Sequence, residues 1–396
     1  MTTLLHPLCA LVAVAALLYK IGPLRRAPRD PALWTLCAVH GFSALSFTLS
    51  TPAVWVAVDR LTGVPNSAAL LAQSCVMGLI VAQWALFDRM LLPPARARRN
   101  MLRHLLVLCG VVAALAVLFV RLSSSGEHSR DFTVHYAGDA DYRRYLLLYS
   151  AVFMIGEVLV SVLCLRCARR VNRLWLRRGL RVTAVGSALS LGYGAVRFVN
   201  GVCGCVAQNP SWVERAAWLC GGLGGLLAQT GWTLPGWGPL LTKARRAARG
   251  YTQYQRLHPL WLALVRSRPD IALEEGRFSR LWSLLTIRNM EFRLYRRAIE
   301  IRDGQLALRE HLDAEVAERA ARLGKGAGLV GEELTAAVTA AQLKAALHAQ
   351  RLGLRPAVPD TLRAADGPSA ADLGAEIIWL VRVARAYRVC PLLTPE

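Results

Sequence analysis

The stretch Tyr145–Arg181, YLLLYSAVFMIGEVLVSVLCLRCARRVNRLWLRRGLR, decides the fold. Its first part is an apolar run through Leu165 that holds one charge, Glu157. Its second part carries seven arginines: Arg166, Arg169, Arg170, Arg173, Arg177, Arg178 and Arg181. A helix of about 20 apolar residues covers the ~30 Å hydrocarbon core of a bilayer. Basic residues crowded behind such a run mark its cytoplasmic edge. The stretch therefore reads as a transmembrane helix followed by a loop on the cytoplasmic side.

The pattern repeats through the first part of the chain. The 396 residues are 54% hydrophobic with mean hydropathy +0.34, high for a water-soluble domain. Apolar blocks place seven spans near 4–21, 33–57, 67–92, 102–121, 145–166, 181–203 and 212–234. Trp55, Trp212, Trp232 and Trp237 fall near span ends, where aromatic anchors belong. The first segment does not read as a cleavable signal peptide. Met1 to Leu5 carry no positive charge, whereas Lys20, Arg25, Arg26 and Arg29 follow the apolar run. It reads as a retained span with its N-terminus outside.

Orientation follows from the basic residues of alternate loops. The first, third and fifth loops hold sixteen: Lys20, Arg25, Arg26 and Arg29; Arg89, Arg96, Arg98, Arg99 and Arg103; and the seven quoted above. The even loops hold six: Arg60; Arg121, Arg130, Arg143 and Arg144; and Arg215. Glu127, Asp131, Asp139 and Asp141 offset the middle set. The odd loops are thus cytoplasmic, and seven crossings of the plasma membrane deliver the C-terminus inside. The tail agrees, opening with Lys243, Arg245, Arg246 and Arg249, a basic cluster expected to rest on anionic lipid headgroups. The net charge of +22 is then mostly topological, and no nucleic-acid partner is expected. The domains are a seven-helix transmembrane domain, 1–237, and a helical cytosolic domain, 238–396. The fold class is all-α.

Three polar side chains fall at membrane depth. Glu157 sits roughly 18 Å from the outer end of the fifth span, near the midplane. Such a carboxylate should face the bundle interior or a water-filled cavity. It either handles a proton or cation or, hydrogen-bonded, holds helices together. Ser150 and Ser161 share its face. Arg197 continues the small-residue stripe Gly186, Ser190 and Gly194, which lets a second helix approach. It binds an anion, pairs with Glu157, or snorkels to the outer surface. His40, with Ser43, Phe47 and Ser50 along its face, is either a packing residue or a functional one. Gln73 and Gln83 are placed to bond across helices, and Gly221 and Gly225 to pack closely or to hinge. Cys203 and Cys205 are a close thiol pair, no two C-x-x-C pairs exist to build a zinc site, and no other metal site or cofactor site is expected.

In the tail, amphipathic helices are expected near 251–267, 277–286, 288–312, 331–352 and 370–389, with a break at Gly324–Gly328 and a link at 355–368. Gly324-Lys325-Gly326 lacks the spacing of a phosphate loop, and no catalytic motif is present. The chain is not expected to be an enzyme.

Three stretches of the tail carry a resemblance: RLHPLW at 256–261, PDIAL at 269–273, and above all FRLYRRAIEIRDG at 292–304. They resemble an actinobacterial, Streptomyces-like family whose members join about seven spans to a cytosolic domain of unknown function. Members are often labelled transporters. The resemblance implies membership of such a family and supplies no catalytic or binding residues.

Two functions fit the sequence. One is a membrane-anchored regulatory or sensory protein whose cytosolic helical domain binds a protein partner. The other is a small-solute or ion transporter using Glu157 and Arg197.

Overall fold

A computed structural model describes residues 2–122, 139–203, 211–268, 290–354 and 373–389. All regular structure among the described residues is helical. The chain divides into two compact units, Met1–Pro239 and Leu240–Glu396.

The first unit contains α1 (Thr2–Arg26), α2 (Pro31–Leu49), α3 (Pro52–Thr62), α4 (Ser67–Leu91), α5 (Pro94–Val120), α6 (Ala140–Arg170) and α7 (Leu174–Cys203). It also contains the part of α8 (Ser211–Ser267) up to Pro239. Local chemistry fixes several of these starts. Asp30 caps α2 by accepting from the amides of Ala32 and Leu33, and Asp139 caps α6 by accepting from Asp141 and Tyr142. α2, α3 and α5 each open on a proline, which loses nothing at a first helical position.

Six helices, α1, α2 and α4 to α7, are long and apolar enough to cross a membrane. Their surfaces agree. On α5 only Ala97 and Leu115 are buried, while Leu102, Leu105, Leu106, Val107, Val117 and Val120 are exposed. An apolar face of that extent needs lipid around it. The expected seventh span, 212–234, lies inside α8 and does not reach the same standard. The glycines from Gly221 to Gly225, together with Gln229, Thr230 and Thr233, dilute its apolar character.

The second expected span, 33–57, is corrected. The helix stops at Leu49, and a separate amphipathic helix runs from Pro52 to Thr62. Pro52 cannot donate to the helical ladder and holds Thr51 in an extended conformation. α3 and α4 are then fastened by Asp59. Its carboxylate accepts from the amide of Asn66 at 2.7 Å, the amide of Ala68 at 3.1 Å and the Ser67 hydroxyl at 3.0 Å.

α6 packs most extensively on α7, α2 on α4 and α1, and α4 on α5. The α7–α8 seam brings two backbones together. A Cβ on Gly186 would lie 2.6 Å from the Gly224 carbonyl oxygen, and one on Gly224 would lie 2.7 Å from that of Gly186. The expected close approach of small residues is therefore a backbone-to-backbone contact.

The second unit begins within α8, which is one continuous helix where the sequence predicts two. It passes through Pro235, Pro239 and Pro259, residues that sequence reasoning takes as stops. The unit adds α9 (Met290–Ala307), a short 3-10 turn (Arg309–His311), α10 (Ala314–Gly326), α11 (Gly331–Arg351) and α12 (Leu373–Val389). Leu257, Leu260, Leu264, Leu294, Ile301, Leu343 and Leu380 meet in its core. The helix expected over 288–312 ends earlier, and α10 lies where none is expected. Asp313 caps α10 through the amide of Glu315. The expected break at Gly324–Gly328 is the C-terminal turn of α10, closed by the Leu329 amide on the Gly324 carbonyl, with Gly328 left-handed at φ +79°. The segment 277–286, the link 355–368, residues 123–138 of the expected outer loop, and Cys205 lie outside the described residues.

Candidate functional site: a polar cavity in the membrane unit

The first unit holds a cavity of about 490 Å³, within the range of small-molecule sites. Six helices and α3 line it. α2 supplies Ser43, Ser46 and Phe47, and its C-cap Ser50; α4 supplies Gln73 and Gln83; α6 supplies Tyr149, Phe153 and Glu157. α7 supplies Ser190 and Tyr193; α8 supplies Glu214, Trp218, three glycines and Gln229; α1 supplies His6, and α3 supplies Pro52 and Trp55.

Glu157 opens onto this cavity and is 7% exposed. Among the described residues no cation pairs with it. Ser150 and Ser161 do not serve it. Ser150 donates to Leu146 of its own helix at 2.6 Å, and Ser161 to the Ala184 carbonyl on α7 at 3.2 Å. The α6 face that reaches the cavity is instead Tyr149, Phe153 and Glu157, spaced four apart.

Arg197 is 1% exposed and does not line the cavity. It neither snorkels nor pairs with Glu157. Its two terminal nitrogens donate to both carboxylate oxygens of Glu214, at 3.0 and 2.9 Å. Its guanidinium lies 5.1 Å from the Tyr193 ring centroid and 5.2 Å from that of Trp218. A bidentate partner and two aromatic faces satisfy this cation, which leaves it little to offer an incoming anion.

His40 is fully buried behind the lining. Its Nδ1 meets Gln229 Oε1 at 2.5 Å, which leaves Nε2 as the ring's acceptor, without a partner among the described residues. Two lining atoms share that condition: Ser43 Oγ, on a residue 1% exposed, and Gln83 Oε1, on a residue 2% exposed. Gln73, by contrast, accepts from the Tyr145 hydroxyl across the α4–α6 interface. Buried polar atoms that a protein leaves open are costly unless something supplies their hydrogen bonds.

The structure therefore gathers Glu157, Gln83 and Ser43 at one cavity, with His40 one residue behind it. It withdraws Arg197 into a structural ion pair. Sequence reasoning missed Glu214, Tyr193 and Trp218. The available signal was Glu214 in the first turn of a span, where a carboxylate suits the helix dipole and a buried arginine needs a partner.

The basic cluster of Lys243, Arg245, Arg246 and Arg249 is exposed on α8, in the second unit. Elsewhere in that unit Arg297 is buried. It donates to the Tyr254 carbonyl at 3.0 Å and the Tyr254 hydroxyl at 2.7 Å, with its guanidinium 3.4 Å from the Tyr254 ring and 4.5 Å from the Trp261 ring. Glu300 accepts from the Trp261 indole at 2.6 Å and from Arg296 at 2.9 Å. These contacts pin α9 to α8. On its outer side α9 leaves Phe292, Tyr295, Ile299 and Leu306 exposed in one row. Among the described residues no group of His, Cys, Asp and Glu is arranged to hold a metal ion.

Residues 244–389 match the model of a family of unknown function, DUF6545. The match covers under half of the chain and includes all three stretches singled out above. No curated protein and no solved structure matches the chain.

Proposed function

We propose that the chain is a non-catalytic membrane sensor. Its membrane unit takes up a small solute in the polar cavity, and its C-terminal unit passes that occupancy to a protein partner in the cytoplasm. One observation carries the reading. A buried carboxylate with no cation and two buried hydrogen-bonding atoms with no partner, among the described residues, line one small-molecule-sized cavity. α8 supports the link to the tail. It contributes Glu214, Trp218 and Gln229 to the lining, and its later turns contribute Leu257, Leu260 and Leu264 to the core of the second unit. The exposed row on α9 supports a partner surface, since contiguous apolar side chains facing water mark interaction sites. In this reading α8 is the seventh crossing, the N-terminus lies outside, and the basic cluster rests on the inner leaflet of the plasma membrane.

In-cell cross-linking of the full chain tests the partner. The expected result is one discrete cross-linked protein that disappears in Phe292→Asp and depends on an intact cavity, tested with Gln83→Leu. Capture indifferent to both changes would oppose the sensor reading.

A transporter remains the second reading, because Glu157 borders the cavity as a coupling carboxylate would. It cannot use Arg197 as a free anion site while Glu214 holds it. Solute flux into proteoliposomes that stops in Glu157→Gln would favour transport over sensing.

A further inference from the structure

The walls of the cavity are more specific than its volume. Six ring-bearing side chains form an unbroken chain of ring contacts around it. Tyr149 stacks with Phe153 at 6.1 Å, Phe153 meets Tyr193 edge-on at 6.0 Å, and Tyr193 meets Trp218 at 5.3 Å. Trp218 meets His6 at 5.0 Å, and His6 meets Phe47 at 6.4 Å. All six line the cavity. Aromatic faces carry negative electrostatic potential and attract cations, more strongly when water is excluded; Arg197 already lies against Tyr193 and Trp218, which leaves Tyr149, Phe153 and Phe47 to meet an incoming one.

The charges agree in sign. Two carboxylates line the cavity, Glu157 and Glu214, and no lysine or arginine does. Arg197 neutralises Glu214. His6 faces the cavity with its Nδ1 donating to the Ser50 carbonyl at 3.1 Å, and it makes no ion pair with either carboxylate among the described residues. One carboxylate is then left without a cation among the described residues. A carboxylate held out of water needs a counter-charge or hydrogen-bond donors. Gln83 Oε1 and Ser43 Oγ, both unpartnered among the described residues, add acceptors for N–H donors.

We infer that the cavity takes a small organic monocation, an ammonium compound whose apolar groups lie against the aromatic wall and whose charge is met by Glu157. This inference rests on the cavity being a solute site, and it names the class of solute. An inorganic cation would leave most of the space and the aromatic surface unused. An anion would meet a carboxylate and find the nearby arginine already engaged.

The test uses the purified full chain in nanodiscs and four probes of similar size: benzyltrimethylammonium, benzylammonium, benzyl alcohol and benzoate. Binding is read by calorimetry and by quenching of tryptophan fluorescence, since Trp218 and Trp55 line the site. The two ammonium probes should bind the unmodified chain at least about tenfold more tightly than the alcohol, with benzoate weakest. Glu157→Gln should remove that preference. The charge series on the unmodified chain decides the matter even if the variant does not fold. Equal binding of the alcohol and the ammonium probes, or preference for benzoate, would overturn the cation assignment and leave the cavity as a solute site. Failure of all four probes to bind would overturn both.

Discussion

Arg197 and Glu214 lock two helices together: both terminal nitrogens of the arginine on α7 meet both carboxylate oxygens of the glutamate on α8, at 3.0 and 2.9 Å. The arginine is almost wholly out of contact with solvent. Removing one member of such a pair strands the other charge at a cost of about 3–5 kcal/mol, whereas replacing both with apolar side chains is often neutral. Glu214→Leu should therefore sharply lower the thermal stability of the detergent-solubilised chain. Arg197→Met in the same background should restore most of it. Equal loss in the single and double variants would show that the pair is not what holds α7 to α8.

The glycine seam makes an independent prediction. Gly186 and Gly224 approach so closely that a methyl group on Gly186 meets only backbone atoms of Gly224 and Ala228, which cannot swing aside as a side chain would. Gly186→Ala should destabilise the membrane unit by about 1–3 kcal/mol. Gly110→Ala, where a Cβ meets nothing within 4 Å, should have no such effect. The two variants can be compared by thermal unfolding in one detergent.

Legibility in the sequence followed the length of the physical signal. Six apolar helices were readable because about 20 apolar residues in a row suit a bilayer-crossing helix and little else. The break between α2 and α3 was missed because Val54, Trp55 and Val56 keep the segment apolar, although Pro52 was the available warning. Continuity of α8 through Pro235, Pro239 and Pro259 could not be read, since whether a helix survives a proline depends on what packs beside it. Of the cavity, Glu157 was legible as a charge out of place. The fate of Arg197 was not, because its partner is 17 residues away on the next helix and sequence spacing does not encode that pairing. The core face of α9 was legible in its three- and four-residue steps, and Met290, Leu294, Ala298 and Ile301 are all buried.

In the C-terminal unit the Trp261 indole donates to Glu300. Glu300→Ala would leave that N–H and the Arg296 head group without this acceptor. A loss of about 1–3 kcal/mol is expected, measured by urea unfolding of the full chain in detergent with Trp261 fluorescence as one probe. Glu376→Ala removes an acceptor of Arg302, an exchange nearer to solvent, and should cost less.

His258 gives that unit a weak dependence on pH. Partial burial, and then the Arg297 charge, lower its pKa from the ordinary value. The unfolded chain consequently binds the proton more readily, starting near the ordinary histidine value of about 6.5. The contribution of His258 to stability is fully present above that pH and falls away as pH drops through the lowered folded value. The acid-side decline of stability should be shallower in His258→Asn than in the unmodified chain. Superimposable pH profiles would exclude this role.

The most direct test of the whole account is a pair of activity reporters, one fused before Met1 and one after Glu396, each functional on only one side of the membrane. Seven crossings, with α8 as the last, predict that the leading reporter works only outside and the trailing one only in the cytoplasm. Both reporters active on the same side would mean an even number of crossings and contradict the seven-span topology, and a trailing reporter active only outside would contradict the sensing scheme and the cytoplasmic placement of the C-terminal unit.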